Sequence, residues 1–304
     1  MTDRVSGTVL GLSAGAPGGS AEILVKSALR GAEKDGARVE LVRLNDLRLS
    51  LSGEPDDGDW LWEKLVDCDA LIVCTPIISR TVSAVLKVMV DRLLGPKADA
   101  AFVERMLELR RSGKELNLPF KLDERVLKPR VAGFIAIGGS LTSQWKSLAL
   151  PLMHTTAFSM HMAVADQVVF GGAGTPRSIV LDGEAINRTA QLGQNVASQI
   201  GRPHDQVEYR GDRGLCPLCH LDVIVLHGRD VECATCGARG ELQPNAAVDW
   251  TDLKTSVITM DEKWAHIREV EQTAAEHARR RQEIDALSAE FEACVPLAKP
   301  EIAA

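Results

Sequence analysis

Ala70-Leu71-Ile72-Val73-Cys74, followed by Thr75-Pro76-Ile77-Ile78-Ser79-Arg80-Thr81-Val82-Ser83-Ala84-Val85-Leu86-Lys87-Val88-Met89-Val90-Asp91-Arg92-Leu93, is the stretch that decides the fold. Five apolar residues without polar alternation predict a strand buried on both faces. A Thr-Pro turn ends it, a short polar loop follows, and apolar periodicity predicts a helix over 82–94. In an open α/β sheet such a loop lies outside the carboxyl end of a strand, where ligands bind.

The same alternation runs through residues 1–205. Strands are predicted at Thr8–Leu12, Arg38–Leu44, Val131–Ile137 and Val164–Phe170, and helices at Ala21–Lys34, Trp60–Val66, Lys146–Phe158 and Glu184–Ile200. Arg38–Leu44 alternates, which suggests a position nearer a sheet edge. Five strands with intervening helices predict a doubly wound parallel sheet covered on both faces. The first strand lacks the G-x-G-x-x-G of a dinucleotide fold, so the flavodoxin-like order 2-1-3-4-5 is expected. Three parts follow: 1–205 as this α/β domain, 213–242 as a cysteine module and 255–304 as a helical arm. A charged insertion between Gly95 and Pro129 reads as a lid or an oligomer contact.

Cys216-Pro217-Leu218-Cys219 and Cys233-Ala234-Thr235-Cys236 form two C-x-x-C knuckles that predict one tetrahedral metal site. Zinc in a structural role is the expectation, since some thirty residues form no core alone. A rubredoxin-like iron site is the alternative, against which stands His220 in place of the glycine after the knuckle. His220 and His227 read as surface residues, His154 and His161 as structural histidines, and Cys68 and Cys74 as small buried apolar groups. Asp261–Cys294 reads as one long charged helix. Its narrow stripe of Trp264, Ile267, Ala274, Ala278, Ile284, Leu287, Phe291 and Cys294 suits a partner helix, so a homo-oligomer (dimer or tetramer) is expected.

The 304 residues carry a net charge of −7 and one tyrosine, Tyr209, so neither a basic face nor stacking platforms for nucleic acid are expected. No apolar run approaches the eighteen residues of a membrane span. Without signal-peptide features near the N-terminus, a cytoplasmic location with no membrane partner is expected.

The Thr75–Arg92 segment resembles, without a gap, the flavin-ring loop of the NAD(P)H-dependent FMN reductases: Thr-Pro-x-Tyr, four residues, Ser, then x-x-Leu-Lys-x-x-x-Asp-Arg. Ile78 stands where the family has Tyr. The loop Gly11–Ala21 is loosely similar to the family's Gly-Ser-x-Arg-x-x-Ser-Asn-Thr phosphate loop, without its arginine and with Ser20-Ala21 at its end. Gly138–Trp145 resembles the family's glycine-rich loop after the fourth strand. The resemblance implies a flavodoxin-like fold with FMN as cofactor and NAD(P)H as hydride donor.

A phosphate needs backbone N–H groups and hydroxyls at a helix N-terminus, and a flavin ring needs a slot with donors along its pyrimidine edge. The candidate cofactor residues are Ser13, Gly18, Gly19 and an N-capping Ser20 in the first loop. In the second they are Thr75, Pro76, Ile77, Ile78, Ser79, Arg80 and Ser83, with the amides around Ile77–Arg80 at the pyrimidine edge. Gly138, Gly139, Ser140 and Trp145 complete the set. No protein acid or base is assigned. The implied activity passes hydride through FMN to a small-molecule electron acceptor: a quinone, a nitro or aromatic compound, or free flavin. Two other readings are a specialised flavoenzyme on a biosynthetic or aromatic catabolic substrate, and a non-redox interaction scaffold.

Overall fold

A computed structural model describes residues 7–51, 54–291, 294, 295 and 298. Five parallel strands are β1 (Thr8–Ser13), β2 (Arg38–Arg43), β3 (Ala70–Pro76), β4 (Val131–Ile137) and β5 (Ala163–Phe170), in the order β2-β1-β3-β4-β5. This is the flavodoxin-like topology, with the alternating strand at one edge.

Both sheet faces are buried, and strand period decides which residue faces which layer. Ala70, Ile72 and Cys74 of β3 join the cluster beneath α1 (Ser20–Lys34) and α7 (Gly183–Ala197). Leu71 and Val73 join the opposite cluster, with Leu61 and Leu65 of α2 (Gly58–Asp67) and Leu86 and Met89 of α3 (Ala84–Leu93). Helices α1 and α7 cross closely because Gly31 and Gly193 have no Cβ; one built on Gly193 would stand 1.7 Å from the Ala28 carbonyl oxygen. Cys68 and Cys74 are buried thiols, and burial pushes Cys68 up to about 11.

The helix expected over Lys146–Phe158 is two short helices, α5 (Ala149–Met153) and α6 (Thr155–Phe158). The break falls at His154, while the late start of the first helix reflects Pro151. It lacks an N–H and disfavours helical conformation before it, so it fits only in the first turn of a helix.

The insertion after Leu93 includes α4 (Ala100–Arg111), whose Val103 and Leu107 are buried in the core. It starts from the amino end of the sheet, where Ser159 Oγ donates to the Leu94 carbonyl and the Ala100 amide donates to the Ser159 carbonyl. That end is opposite the loops after β1, β3 and β4. The insertion is therefore not a lid over them.

The cysteine module extends beyond residue 242 as a four-stranded antiparallel sheet: β6 (Ile224–His227), β7 (Asp230–Cys233), β8 (Arg239–Leu242) and β9 (Val248–Asp252). Trp250 of β9 packs against the core and donates from Nε1 to the Leu215 carbonyl at 3.1 Å. The arm is also divided. α8 (Met260–Arg279) and α9 (Arg281–Ala289) meet at Arg280, where φ −101° and ψ 15° leave the helical region. Cys294 lies past α9. Thr259 caps α8, and Ile267 and Lys263 are its buried anchors. Lys263 Nζ lies 3.8 Å from Asp99, and Arg105 Nε 3.3 Å from Glu271.

Candidate flavin site

Adjacent strands β1, β3 and β4 bring their following loops together, as the switch-point rule requires. The first loop turns at Ala16-Pro17-Gly18-Gly19, closed by a 2.9 Å hydrogen bond from the Gly19 amide to the Ala16 carbonyl. Proline at the second position and Gly18 at φ +67° make it a type II turn, which requires a left-handed residue at the third position. Gly19, not Ser20, caps α1, and Ser20 is its first residue. The cap makes no side-chain hydrogen bond, so among the described residues no side chain caps the first-turn amides at the positive end of α1. Ser13 is buried, and its Oγ has no partner.

Glu22 lies beneath this turn. It accepts the Gly18 amide at 2.8 Å and two hydrogen bonds from the Arg43 guanidinium, at 2.7 and 3.0 Å. Lys26 adds a third cationic contact at 2.5 Å. The Arg43 hydrogen bonds hold Glu22 at about 2 despite the opposing effect of burial, with Lys26 and the Gly18 amide adding to the lowering.

Thr75 and Ser83 are buried and pin the root of the second loop. The Ser83 amide donates to Thr75 Oγ1 at 3.1 Å, and Ser83 Oγ donates to the Ala14 carbonyl at 3.0 Å. Pro76 ends β3 opposite Ile137. Of the four amides expected along the pyrimidine edge, two are engaged by the protein: Ile77 donates to the Ile137 carbonyl at 2.8 Å and Ile78 to the Thr81 carbonyl at 2.9 Å. Ser79 and Arg80 form the tip with φ of 47° and 73°, a type I′ turn built without the usual Asn-Gly. Their amides have no protein acceptor among the described residues. Arg80 Nε donates to the Gln144 carbonyl at 2.8 Å, which ties the second loop to the third.

In the third loop Gly138 is buried against Ile77, and its amide donates to the Phe170 carbonyl at 3.1 Å. A Cβ on Gly139 would stand 3.2 Å from Gly174 Cα. Ser140 Oγ and Thr142 Oγ1 are 3.1 Å apart, and Trp145 ends a short 3-10 turn over Ser143–Trp145. The rim around these loops is apolar and open: Ile78 is 55% exposed, Trp145 54%, Leu141 81% and Leu181 88%. Leu141 and Leu181 flank a cavity of about 530 Å³ that runs under the β5–α7 connection.

Arg177 was not singled out from the sequence. It lies on that β5–α7 connection, at φ 65°, and its guanidinium reaches over the first loop. No local pattern links it to Gly18; only the fold brings the two together. The turn, the uncapped helix start and the orphaned Ser13 hydroxyl fit a phosphate, and the apolar rim with two outward amides fits a flat ring.

The four cysteines converge within the described residues. Their sulfurs lie within 4.8 Å of one another, with Cys216–Cys236 at 3.6 Å and Cys219–Cys233 at 3.4 Å. Disulfides would require about 2.05 Å, whereas thiolates about 2.3 Å from one tetrahedral ion stand about 3.8 Å apart. Each knuckle is closed by a left-handed residue after its second cysteine, His220 at φ 57° and Gly237 at φ 79°. His220 is half-buried instead of a freely exposed residue: it takes the glycine-type conformation and stacks on Tyr209 at 3.8 Å, and burial pushes it down to about 4.

Histidines 154 and 161 also lie inside, lining a cavity of about 570 Å³ between the amino end of β5 and the cysteine module. His161 stacks on His204 at 3.8 Å, and burial lowers both.

Residues 8–175 match the family model described as NADPH-dependent FMN reductase. A flavone synthase of Aspergillus candidus, cfoJ, is 34% identical over 256 residues, which span 77% of each chain. A solved structure of a flavone reductase superposes with a TM-score of 0.82 at 28% identity, covering 97% of this chain and 100% of the other. That coverage takes in the cysteine module and much of the arm. With a family match over more than half of its length, the chain belongs to the NADPH-dependent FMN reductase family and is an NAD(P)H-dependent FMN oxidoreductase.

Proposed function

We propose that this oxidoreductase acts on a flat, apolar aromatic acceptor of the flavone class. The observation that carries the proposal is the open rim of Ile78, Leu141, Trp145 and Leu181 around the flavin loops. Exposed apolar groups in such a cluster suit a planar apolar guest better than a small polar one. Two relatives named for making and for reducing a flavone support the same class. The specialised flavoenzyme reading of the sequence therefore takes precedence over a general quinone, nitro-compound or free-flavin reductase.

FMN, when bound, would supply the hydride chemistry that links the nicotinamide to the acceptor. For a flavone, hydride and a proton add across the double bond conjugated to the ketone, and NAD(P)⁺ leaves; the reverse exchange desaturates the reduced product. Ser79 and Arg80 present their amides at the pyrimidine edge, the α1 start receives the phosphate, and Ile78 and Trp145 exclude water around the guest. Of the other candidates, Ser13, Gly18, Gly19, Ser20, Gly138, Gly139 and Ser140 line the slot, whereas Thr75, Pro76, Ile77 and Ser83 fix its loop. The cysteine cluster holds a structural zinc ion, and the exposed face of the arm, with Leu287 and Phe291, pairs with a second copy of the chain.

The test is turnover with NAD(P)H across a panel of a flavone, a quinone, a nitroarene and free FMN. Preference for the flavone, lost on Trp145→Ala with the flavin retained, is the expected result; equal turnover of all four would overturn it.

A further inference from the structure

We infer that Arg177 is the phosphate-binding cation of the flavin site, supplied by the β5–α7 connection instead of the first loop. The inference rests on the flavin reading of these loops. Between Gly11 and Ala21 there is no basic residue, although a phosphate group carries up to two negative charges at neutral pH. Two cations beside the α1 start, Arg43 and Lys26, are both bound to Glu22. Glu22 adds a further negative charge beneath the turn. The uncapped amides of α1 would therefore meet a phosphate beside an acidic group whose own partners are already committed.

Arg177 resolves this. Its Nη2 lies 3.6 Å and its Nε 4.0 Å from where a Cβ on Gly18 would stand, so the guanidinium rests on the outer side of the type II turn. The side chain is exposed and has neither hydrogen bond nor ion pair among the described residues. Its backbone is left-handed, at φ 65° and ψ 2°. A non-glycine residue there is uncommon, and such conformations concentrate where a side chain must be aimed at a ligand. The guanidinium lies within van der Waals reach of the turn, and its planar fork matches two phosphate oxygens. A solvated surface arginine has no reason to hold a strained backbone over a glycine turn.

The experiment is fluorescence titration of the flavin-stripped full chain with FMN and, separately, with riboflavin, which has the same ring and no phosphate. Two variants are compared, Arg177→Gln and Arg177→Gly; the second keeps the left-handed backbone relaxed and removes only the guanidinium. A charge-assisted hydrogen-bond pair of about 1.5–3 kcal/mol corresponds to a loss of roughly 10- to 150-fold in FMN affinity. Both variants should show that loss, a weaker salt dependence, and unchanged riboflavin affinity. Unchanged FMN affinity in both variants would overturn the role of Arg177, as would equal losses for FMN and riboflavin. Failure of the unsubstituted chain to bind either flavin would overturn the underlying site instead.

Discussion

His154 Nε2 lies 2.8 Å from Gln167 Oε1, in the buried layer between the parallel sheet and the cysteine module. The amide oxygen can only accept, so the histidine donates from Nε2. Burial pushes His154 down to about 4, which keeps the ring neutral. Gln167 passes the connection on, donating from Nε2 to the Cys219 carbonyl at 2.7 Å. A side chain of β5 thereby bonds one knuckle of the module to the histidine between α5 and α6 of the α/β domain. Gln167→Ala would leave a buried donor and a buried acceptor without partners, at a cost of about 2 kcal/mol. A lower midpoint in thermal unfolding, with faster proteolysis after residue 205, is the expected outcome; an unchanged midpoint would show that the bond contributes nothing.

Glu22 gives the fold an acid limit. Its folded value of about 2 is below the ordinary 4.5, so the stabilisation is complete above about pH 4.5 and is lost as pH falls toward 2. The linkage is worth at most about 3 kcal/mol. Glu22→Gln should lower stability at neutral pH and flatten the profile of denaturant midpoint against pH between 4.5 and 2. A parallel profile at every pH would contradict the assignment.

Removal of the metal ligands tests the ribbon. Cys216→Ser with Cys233→Ser should abolish stoichiometric zinc, measured by elemental analysis of the purified chain. The four-stranded sheet should then lose its amide-exchange protection, because strands of four or five residues have little core of their own. Full metal content in the double variant would sink the four-thiolate site.

The arm offers a separable test, since Ile267 and Lys263 anchor α8 while α9 has no buried residue. Deleting residues 281–304 should leave the unfolding midpoint within about 0.5 kcal/mol of the full chain's stability. It should also lower the mass seen by light scattering. An unchanged mass would remove the arm from the oligomer contact.

Much of this was readable in the sequence, and the limits have physical causes. Ala70–Cys74 and Val131–Ile137 are apolar throughout, and only a central parallel strand buries both faces, so their central place in the order followed. The four-cysteine cluster was equally plain, because two knuckles at close spacing are a local pattern. Local pattern failed at helix limits: Pro151 delays the start of one expected helix, and Arg280 divides another. It failed again where chemistry depends on distant neighbours. The amides of Ile77 and Ile78 read as free donors until the fold supplied their acceptors, and His220 read as a surface residue until Tyr209 stacked on it. Arg177 is the extreme case. Only the convergence of the β1–α1 and β5–α7 connections places it over Gly18.

The most direct test of the proposed chemistry is the visible spectrum of the FMN-loaded chain, reduced by NAD(P)H without oxygen and then mixed with a flavone. The account predicts that the oxidised flavin spectrum returns at a rate set by flavone concentration, with equimolar loss of the flavone. A flavin that stays reduced with the flavone, yet reoxidises at once with a quinone, would contradict it.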